Sequence, residues 1–96
     1  MFYLGIDVAK AKIDCCLILE NSANKKKTKT FSNTPKGFEQ LQTWLKQHAA
    51  TSTQTIILME ATSIYHELLV KYLFDAGYQV CVTNPARARY FAQSMS

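Results

Sequence analysis

The sequence of 96 residues lacks the features that mark several specialised classes of protein. Its apolar runs fall well short of the roughly 20 residues that span a membrane, and its apolar start has neither a charged leader nor a long signal-peptide core. It contains no internal repeat and no low-complexity tract. With a hydrophobic content of 48%, these absences predict one globular domain that works in the cytoplasm.

Cysteine and histidine are too few and too scattered for two further classes. Three cysteines without a C-x-x-C spacing form neither a disulfide framework nor a zinc motif. Cys15 and Cys16 are adjacent on a predicted strand and Cys81 lies on another, so we expect all three to be buried, reduced packing residues. His48 and His66 each stand alone, which favours helix surfaces over metal ligation.

The positive charge is moderate and partly local. A net charge of +4 and an isoelectric point of about 9.1 permit a polyanionic partner without requiring one. Four of the eleven cationic residues, Lys25, Lys26, Lys27 and Lys29, cluster at a predicted turn, where they could contact the phosphates of a nucleic acid. The alternative is a solvated turn that discourages pairing of sheet edges.

Hydrophobic periodicity predicts an α/β fold with the element order βββαβαβα. The predicted strands are residues 2–8, 13–20, 28–32, 55–59 and 78–83. One helix begins at the cap Thr34, a second at Thr62 or Ser63, and a third after Asn84 and Pro85. We expect one mixed five-stranded sheet flanked by helices, in which the first strand also pairs with the fourth and the last two strands are parallel.

Two finer details follow from the same patterns. The fourth strand is a continuous apolar run, which is typical of a strand covered on both faces. The inner stripe of the second helix is predicted to consist of Tyr65, Leu68, Leu69, Tyr72, Leu73 and Ala76.

Two of the predicted strands carry a carboxylate near their ends. Asp7 interrupts an apolar strand and Glu60 follows another, so pairing of these strands would place the two side chains close together. Two such charges about 4 Å apart repel by roughly 4 kcal/mol at an effective dielectric of 20, and Mg²⁺ or Mn²⁺ would neutralise them. Gly5, on the same face as Asp7, leaves space for a close approach.

A plainer interpretation of the carboxylates stays open. Asp7 could be a turn residue at a strand end, and Glu60 an exposed loop residue. We assign the remaining acidic residues to solvated faces: Asp14, Glu20, Glu39, Glu67 and Asp75.

Three motifs in order give the chain a family resemblance: "GIDVAK" with Asp7, "EATSIY" with Glu60, and "VTNPARARYFA" from Val82 to Ala92. With them the chain resembles the amino-terminal domain of the DEDD transposases, the bacterial insertion-sequence recombinases. Ser63 stands where the family more usually has glycine, a minor departure at a helix start.

The resemblance implies a RuvC-like domain of the RNase H-like fold that cleaves and joins DNA strands with Mg²⁺ or Mn²⁺. Asp7 and Glu60 would be the first two of four acidic metal ligands. The other two belong to an Asp-x-x-Asp pair that we expect beyond Ser96, so residues 1–96 would be the amino-terminal part of the catalytic domain and inactive alone.

Partners are implied in the same way. The resemblance implies that the complete protein is a bacterial cytoplasmic enzyme that binds DNA and a structured guide RNA, forms a homo-oligomer and carries a nucleophilic serine in a later domain. The family pattern places Arg89 near the substrate, whereas a surface salt bridge is the alternative. Tyr65 could touch nucleic acid, but core packing is favoured.

Two other functions compete with this interpretation. An ATPase or kinase of the actin-like superfamily also begins with a strand bearing "GID", yet the turn "VAKAK" has no glycine or hydroxyl residue to cradle a phosphate. A non-catalytic nucleic-acid-binding module would need only the lysine cluster.

Overall fold

A computed structural model describes residues 1–19, 25–60 and 64–83, which form one five-stranded sheet and two main helices. The strands are β1 (Phe2–Val8), β2 (Lys12–Leu19), β3 (Lys26–Ser32), β4 (Thr55–Glu60) and β5 (Gln79–Thr83). The helices are α1 (Pro35–Gln47) and α2 (Glu67–Asp75), with 3₁₀ turns at Ser52–Gln54 and Ile64–His66.

The strand order in the sheet is β3-β2-β1-β4-β5. The first three strands form an antiparallel meander, while β1 pairs with β4 and β4 pairs with β5 in parallel. This topology confirms the predicted mixed sheet, including the pairing of the first and fourth strands. It makes β1 the central strand.

Only one face of the sheet is buried among the described residues. Along β1 the buried residues Leu4, Ile6 and Val8 alternate with exposed ones, and the same alternation runs through β2 and β4. Both helices pack against this face in a single core. Both connections, from β3 to β4 and from β4 to β5, run in the same direction across the sheet. Because crossovers between parallel strands are right-handed, the two helices lie on the same face.

Helix α1 begins as its sequence predicts. The Oγ1 atom of Thr34 accepts a hydrogen bond from the backbone N–H of Gly37 at 3.1 Å, and Pro35 occupies the first turn. The buried side of the helix presents Phe38, Leu41, Trp44 and Leu45 to the sheet. Local capping and apolar spacing therefore agree with the tertiary packing.

Helix α2 differs from the prediction on one side. Leu69 and Leu73 are fully buried, but Leu68 is 69% exposed and Tyr65 is 41% exposed. The apolar stripe inferred for this helix was too wide, because a helix of nine residues with one covered side buries a narrower arc. The predicted caps Thr62 and Ser63 lie outside the described residues.

Two strand predictions need correction. Strand β3 begins at Lys26, so most of the lysine cluster lies in a strand and not in a turn. The apolar run of β4 has one covered face among the described residues, since Leu58 is 53% exposed. Alternation decides burial here, and an outward leucine looks the same in the sequence as an inward one.

A polar and an aromatic contact join the helices. The rings of Phe38 and Tyr72 lie 5.6 Å apart, and the hydroxyl of Tyr72 donates a hydrogen bond to Oε1 of Gln42 at 2.8 Å.

The third predicted helix and Arg89 lie beyond Thr83 and outside the described residues. Within the described part, neither helix has the length and apolar content to cross a membrane.

Replacement of Gly37 by alanine tests the packing of α1 against the end of β3. The added Cβ would overlap the backbone carbonyl of Ser32, so we expect the free energy of unfolding in urea to fall by about 1–3 kcal/mol. Gly5→Ala is the matched control, because its Cβ meets no atom within 4 Å. Equal stability of Gly37→Ala and the wild type would contradict the observed close approach.

The buried thiol of Cys15 predicts a loss of stability at alkaline pH. Burial, with smaller contributions from Asp14 and Cys16, raises the pKa of Cys15 from its ordinary 9.0 to about 12. Between these values the unfolded chain has lost the thiol proton and the folded chain keeps it, so the free energy of unfolding falls as the pH rises. The slope is at most about 1.4 kcal/mol per pH unit.

Urea denaturation between pH 8 and 11 measures this slope. Cys15→Ala should make it shallower, whereas replacing the exposed Cys81 should leave it unchanged. Some slope should remain, because burial also raises the pKa of Tyr78, whose hydroxyl donates to the carbonyl of Ala50. An identical slope in Cys15→Ala and the wild type would show that the thiol is not the cause.

Candidate metal centre

The exposed face of the sheet carries a row of polar residues near one end. The strand register aligns Thr30, Asp14, Asp7, Glu60 and Thr83, one from each strand. Adjacent strands are about 4.8 Å apart. Three carboxylate residues therefore occupy neighbouring positions across the middle of the sheet.

Asp7 and Glu60 face each other in the last paired position of the parallel β1–β4 ladder. Both side chains are exposed, because they alternate with the buried residues Ile6, Val8 and Met59. Within residues 1–19, 25–60 and 64–83, no hydrogen bond or ion pair engages either carboxylate. The structure thus brings the two predicted residues together, while their role as ligands stays a prediction.

Because both carboxylates are exposed to water, the repulsion between them is weaker than the sequence alone predicts. At a separation near 4.8 Å, two unit charges in water repel by only about 1 kcal/mol, compared with the roughly 4 kcal/mol expected at an effective dielectric of 20. The fold can accommodate such a pair without a cation. A metal ion would therefore bind to a folded protein and would not be needed for folding.

A shallow groove of about 700 Å³ lies over the carboxylates. Its lining includes Gly5, Asp7, Asp14, Glu60 and Thr83. A Cβ atom built on Gly5 would meet no atom within 4 Å, so this part of the groove floor is open. An extended phosphate-bearing chain has room to approach the carboxylates from this side.

The donor set fits a hard divalent cation that keeps most of its water. Carboxylate oxygens suit Mg²⁺ and Mn²⁺, and Mg²⁺ is usually held by one or two carboxylates together with water and substrate oxygens. The described residues contain no group of three histidine, cysteine, aspartate or glutamate residues that could hold a metal. Asp7 and Glu60 alone would therefore leave most coordination positions to water, phosphate or other residues.

Asp14 is the residue at this site that sequence reasoning missed. Its side chain is 47% exposed, as expected for a solvated face, and it is also paired in register with Asp7 on the side opposite Glu60. Its Oδ1 accepts a hydrogen bond from the Thr30 hydroxyl at 2.6 Å, and its Oδ2 lies 3.9 Å from Nζ of Lys12. The short connection between β1 and β2 was the available signal, because a tight hairpin there aligns these two positions.

The lysine cluster extends along the outer strand of the sheet. The register places Lys26 on the open face with Ile18, whereas Lys27 and Lys29 share the helix-covered face with Leu17 and Cys15. Nζ of Lys29 lies 5.7 Å from the centre of the Phe31 ring. The four lysines thus do not form one surface, and Lys25 lies just before the strand.

The cysteines occupy three different environments. Cys15 is buried, Cys16 is half-buried on the open face, and Cys81 is exposed. The expectation of three buried packing residues therefore holds for Cys15 and fails for Cys81, which lies on the outer strand β5.

The sequence that builds this site matches a family model described as a transposase, the DEDD type of IS110 elements, over residues 4–96. The chain belongs to the IS110 family of DEDD transposases. The pilin gene-inverting protein of Moraxella bovis is 31% identical to it over 93 residues, and that of Moraxella lacunata is equally similar. The match covers 97% of this chain and 28% of these relatives' length.

Solved structures place this family member in the RNase H-like fold. RuvC of Thermus thermophilus, solved with a Holliday junction substrate, superposes with a TM-score of 0.60 at 10% identity, covering 94% of this chain and 68% of RuvC. An exopolyphosphatase from Cytophaga hutchinsonii gives 0.56 at 12% identity, covering 91% and 35%. Similarity at this level shows the fold, so the transposase assignment depends on the family match.

Proposed function

We propose that this transposase chain supplies two metal ligands, Asp7 and Glu60, to a centre that cleaves and transfers DNA strands in the transposition of an insertion sequence. The observation that carries the proposal is their opposition at the end of the β1–β4 ladder, on an exposed face and without other partners among the described residues. Family membership supplies the class of reaction.

Asp7, Glu60 and Gly5 have separate roles in this proposal. Asp7 and Glu60 would hold Mg²⁺ or Mn²⁺ between two paired strands, and the open floor at Gly5 would leave space for the DNA backbone. When bound, the cation neutralises phosphate charge and lowers the pKa of coordinated water. The Thr83 hydroxyl is already engaged with the Met59 carbonyl at 3.4 Å, so it serves the sheet and not the substrate.

We propose that the complete centre needs more ligands than Asp7 and Glu60. The curated relatives are much longer than the matched part, and two carboxylates leave a cation mostly hydrated. We propose that residues 1–96 form the amino-terminal part of the catalytic domain, that further acidic ligands complete it, and that these residues alone are inactive. Family membership extends the proposal to DNA, a structured guide RNA and a homo-oligomeric full-length enzyme.

A second candidate function has one observation in its favour. Strand β3 presents exposed lysines on an outer strand, which would suffice for a module that binds nucleic acid without catalysis. The turn after β1 contains neither a glycine nor a hydroxyl residue to cradle a phosphate, which argues against an actin-like ATPase. Metal binding separates the transposase centre from the simple binding module, because only the former needs Asp7 and Glu60.

Titration of Mn²⁺ into the metal-free protein, followed by electron paramagnetic resonance, tests the proposed centre. Asp7→Asn and Glu60→Gln should each weaken binding at least about tenfold, because each removes half of the protein's charge on the cation. Both variants should retain the stability of the wild type, since the exposed carboxylates have no partner among the described residues to lose.

Glu39→Gln is the matched control for this titration, because Glu39 is an exposed carboxylate on α1. It should bind Mn²⁺ like the wild type. Equal affinities in the wild type and both site variants would show that any observed Mn²⁺ is held elsewhere and would refute the centre.

The salt dependence of DNA binding tests which lysines contact phosphate. If a duplex lies across the open face, Lys26→Gln should reduce the slope of log K against log salt by about 0.9. Lys29→Gln should reduce the slope less, because Lys29 borders the groove but its Nζ lies over the ring of Phe31 on the other face of β3. Equal reductions in the two variants would indicate that DNA runs along the outside of the strand instead.

A further inference from the structure

Asn33 joins the segments that leave the two carboxylate-bearing strands. It lies between β3 and α1, and its side-chain Nδ2 donates to the carbonyl of Ala9 at 2.9 Å and to the carbonyl of Tyr65 at 3.0 Å. Its backbone N–H donates to the carbonyl of Ala11 at 3.0 Å. One half-buried residue thus contacts the turn after β1 and the 3₁₀ turn that follows β4.

The chemistry of these contacts suits an amide. Both side-chain partners are carbonyl oxygens, so the group between them must donate two hydrogen bonds. The NH₂ group of asparagine does so, and the same two partners fix the orientation of the amide. A carboxylate of equal size would offer only acceptors, and an apolar side chain would offer neither donors nor acceptors.

The position of this contact matters because the strand ladder stops at the carboxylates. The parallel pairing of β1 and β4 ends with Asp7 opposite Glu60. The ends of elements open more easily than their centres, whereas ligands of one cation must hold their geometry to about 0.5 Å. The amide of Asn33 connects Ala9, two residues past Asp7, with Tyr65, five residues past Glu60.

We propose that Asn33 is a positioning residue of the metal centre: by bridging Ala9 and Tyr65 it holds the ends of β1 and β4 together and so fixes the separation of Asp7 and Glu60. The inference rests on the proposed function, since it assigns Asn33 a part in metal binding. Asn33 itself touches neither the cation nor the substrate.

Two substitutions in the 96-residue chain test the inference. Asn33→Leu keeps the approximate shape and removes both donors, so we expect Mn²⁺ affinity to fall about tenfold, as for other residues that orient metal ligands. Asn33→Gln keeps the amide on a side chain one methylene longer and should recover part of that loss. The readout is the Mn²⁺ dissociation constant measured by electron paramagnetic resonance.

Tyr72→Phe separates positioning from general destabilisation. It removes the hydrogen bond to Gln42, which joins the helices on the other face of the sheet, and should leave the Mn²⁺ affinity unchanged. Amide hydrogen exchange of the metal-free protein gives a second readout. The N–H of Ala9, which is bonded to the carbonyl of Lys12, should exchange about tenfold faster in Asn33→Leu and as in the wild type in Tyr72→Phe.

The outcomes distinguish the two hypotheses. If the wild type binds Mn²⁺ and Asn33→Leu binds it equally well, the inference about Asn33 is overturned and the metal centre stands. If the wild type binds no Mn²⁺, the proposed function fails, and unchanged exchange at Ala9 would then overturn the bridging role as well.

Discussion

The parallel pairing of β1 with β4 is the interaction on which the rest of the molecule depends. It converts a meander of three strands into a mixed sheet, and it places the fully buried Leu4, Ile57 and Met59 in the centre of the core. The same pairing sets Asp7 opposite Glu60 across a single strand spacing. Core and candidate site are therefore products of one register, because a slip of one residue would exchange the two faces of a strand.

Features that depend on local chemistry could be predicted from the sequence. Thr34 and Pro35 define the start of α1, since a cap and a fixed φ act within one turn. The neighbourhood of Asp7 and Glu60 could also be inferred, because few topologies accommodate a meander followed by right-handed crossovers. Here the rules of chain connection predict proximity between residues that are distant in the sequence.

Features that depend on what covers a surface could not be predicted in this way. Leu58 and Leu68 are as apolar as their buried neighbours, yet neither lies under the described helices in the part of the chain that the structure describes. The length of the β1–β2 turn decides that Asp14 lies beside Asp7, and one more residue there would have turned Asp14 to the other face. Asn33 gave no signal, because its partners are backbone carbonyls that every sequence possesses.

The division between a packed face and an open face also bears on how such a domain can evolve. Substitutions beneath the helices must preserve volume and shape, whereas those on the open face cost the fold little. Selection for a different substrate can then change residues on the open face, while selection for folding preserves the face beneath the helices. RuvC shows that the same fold is compatible with a sequence only 10% identical to this one.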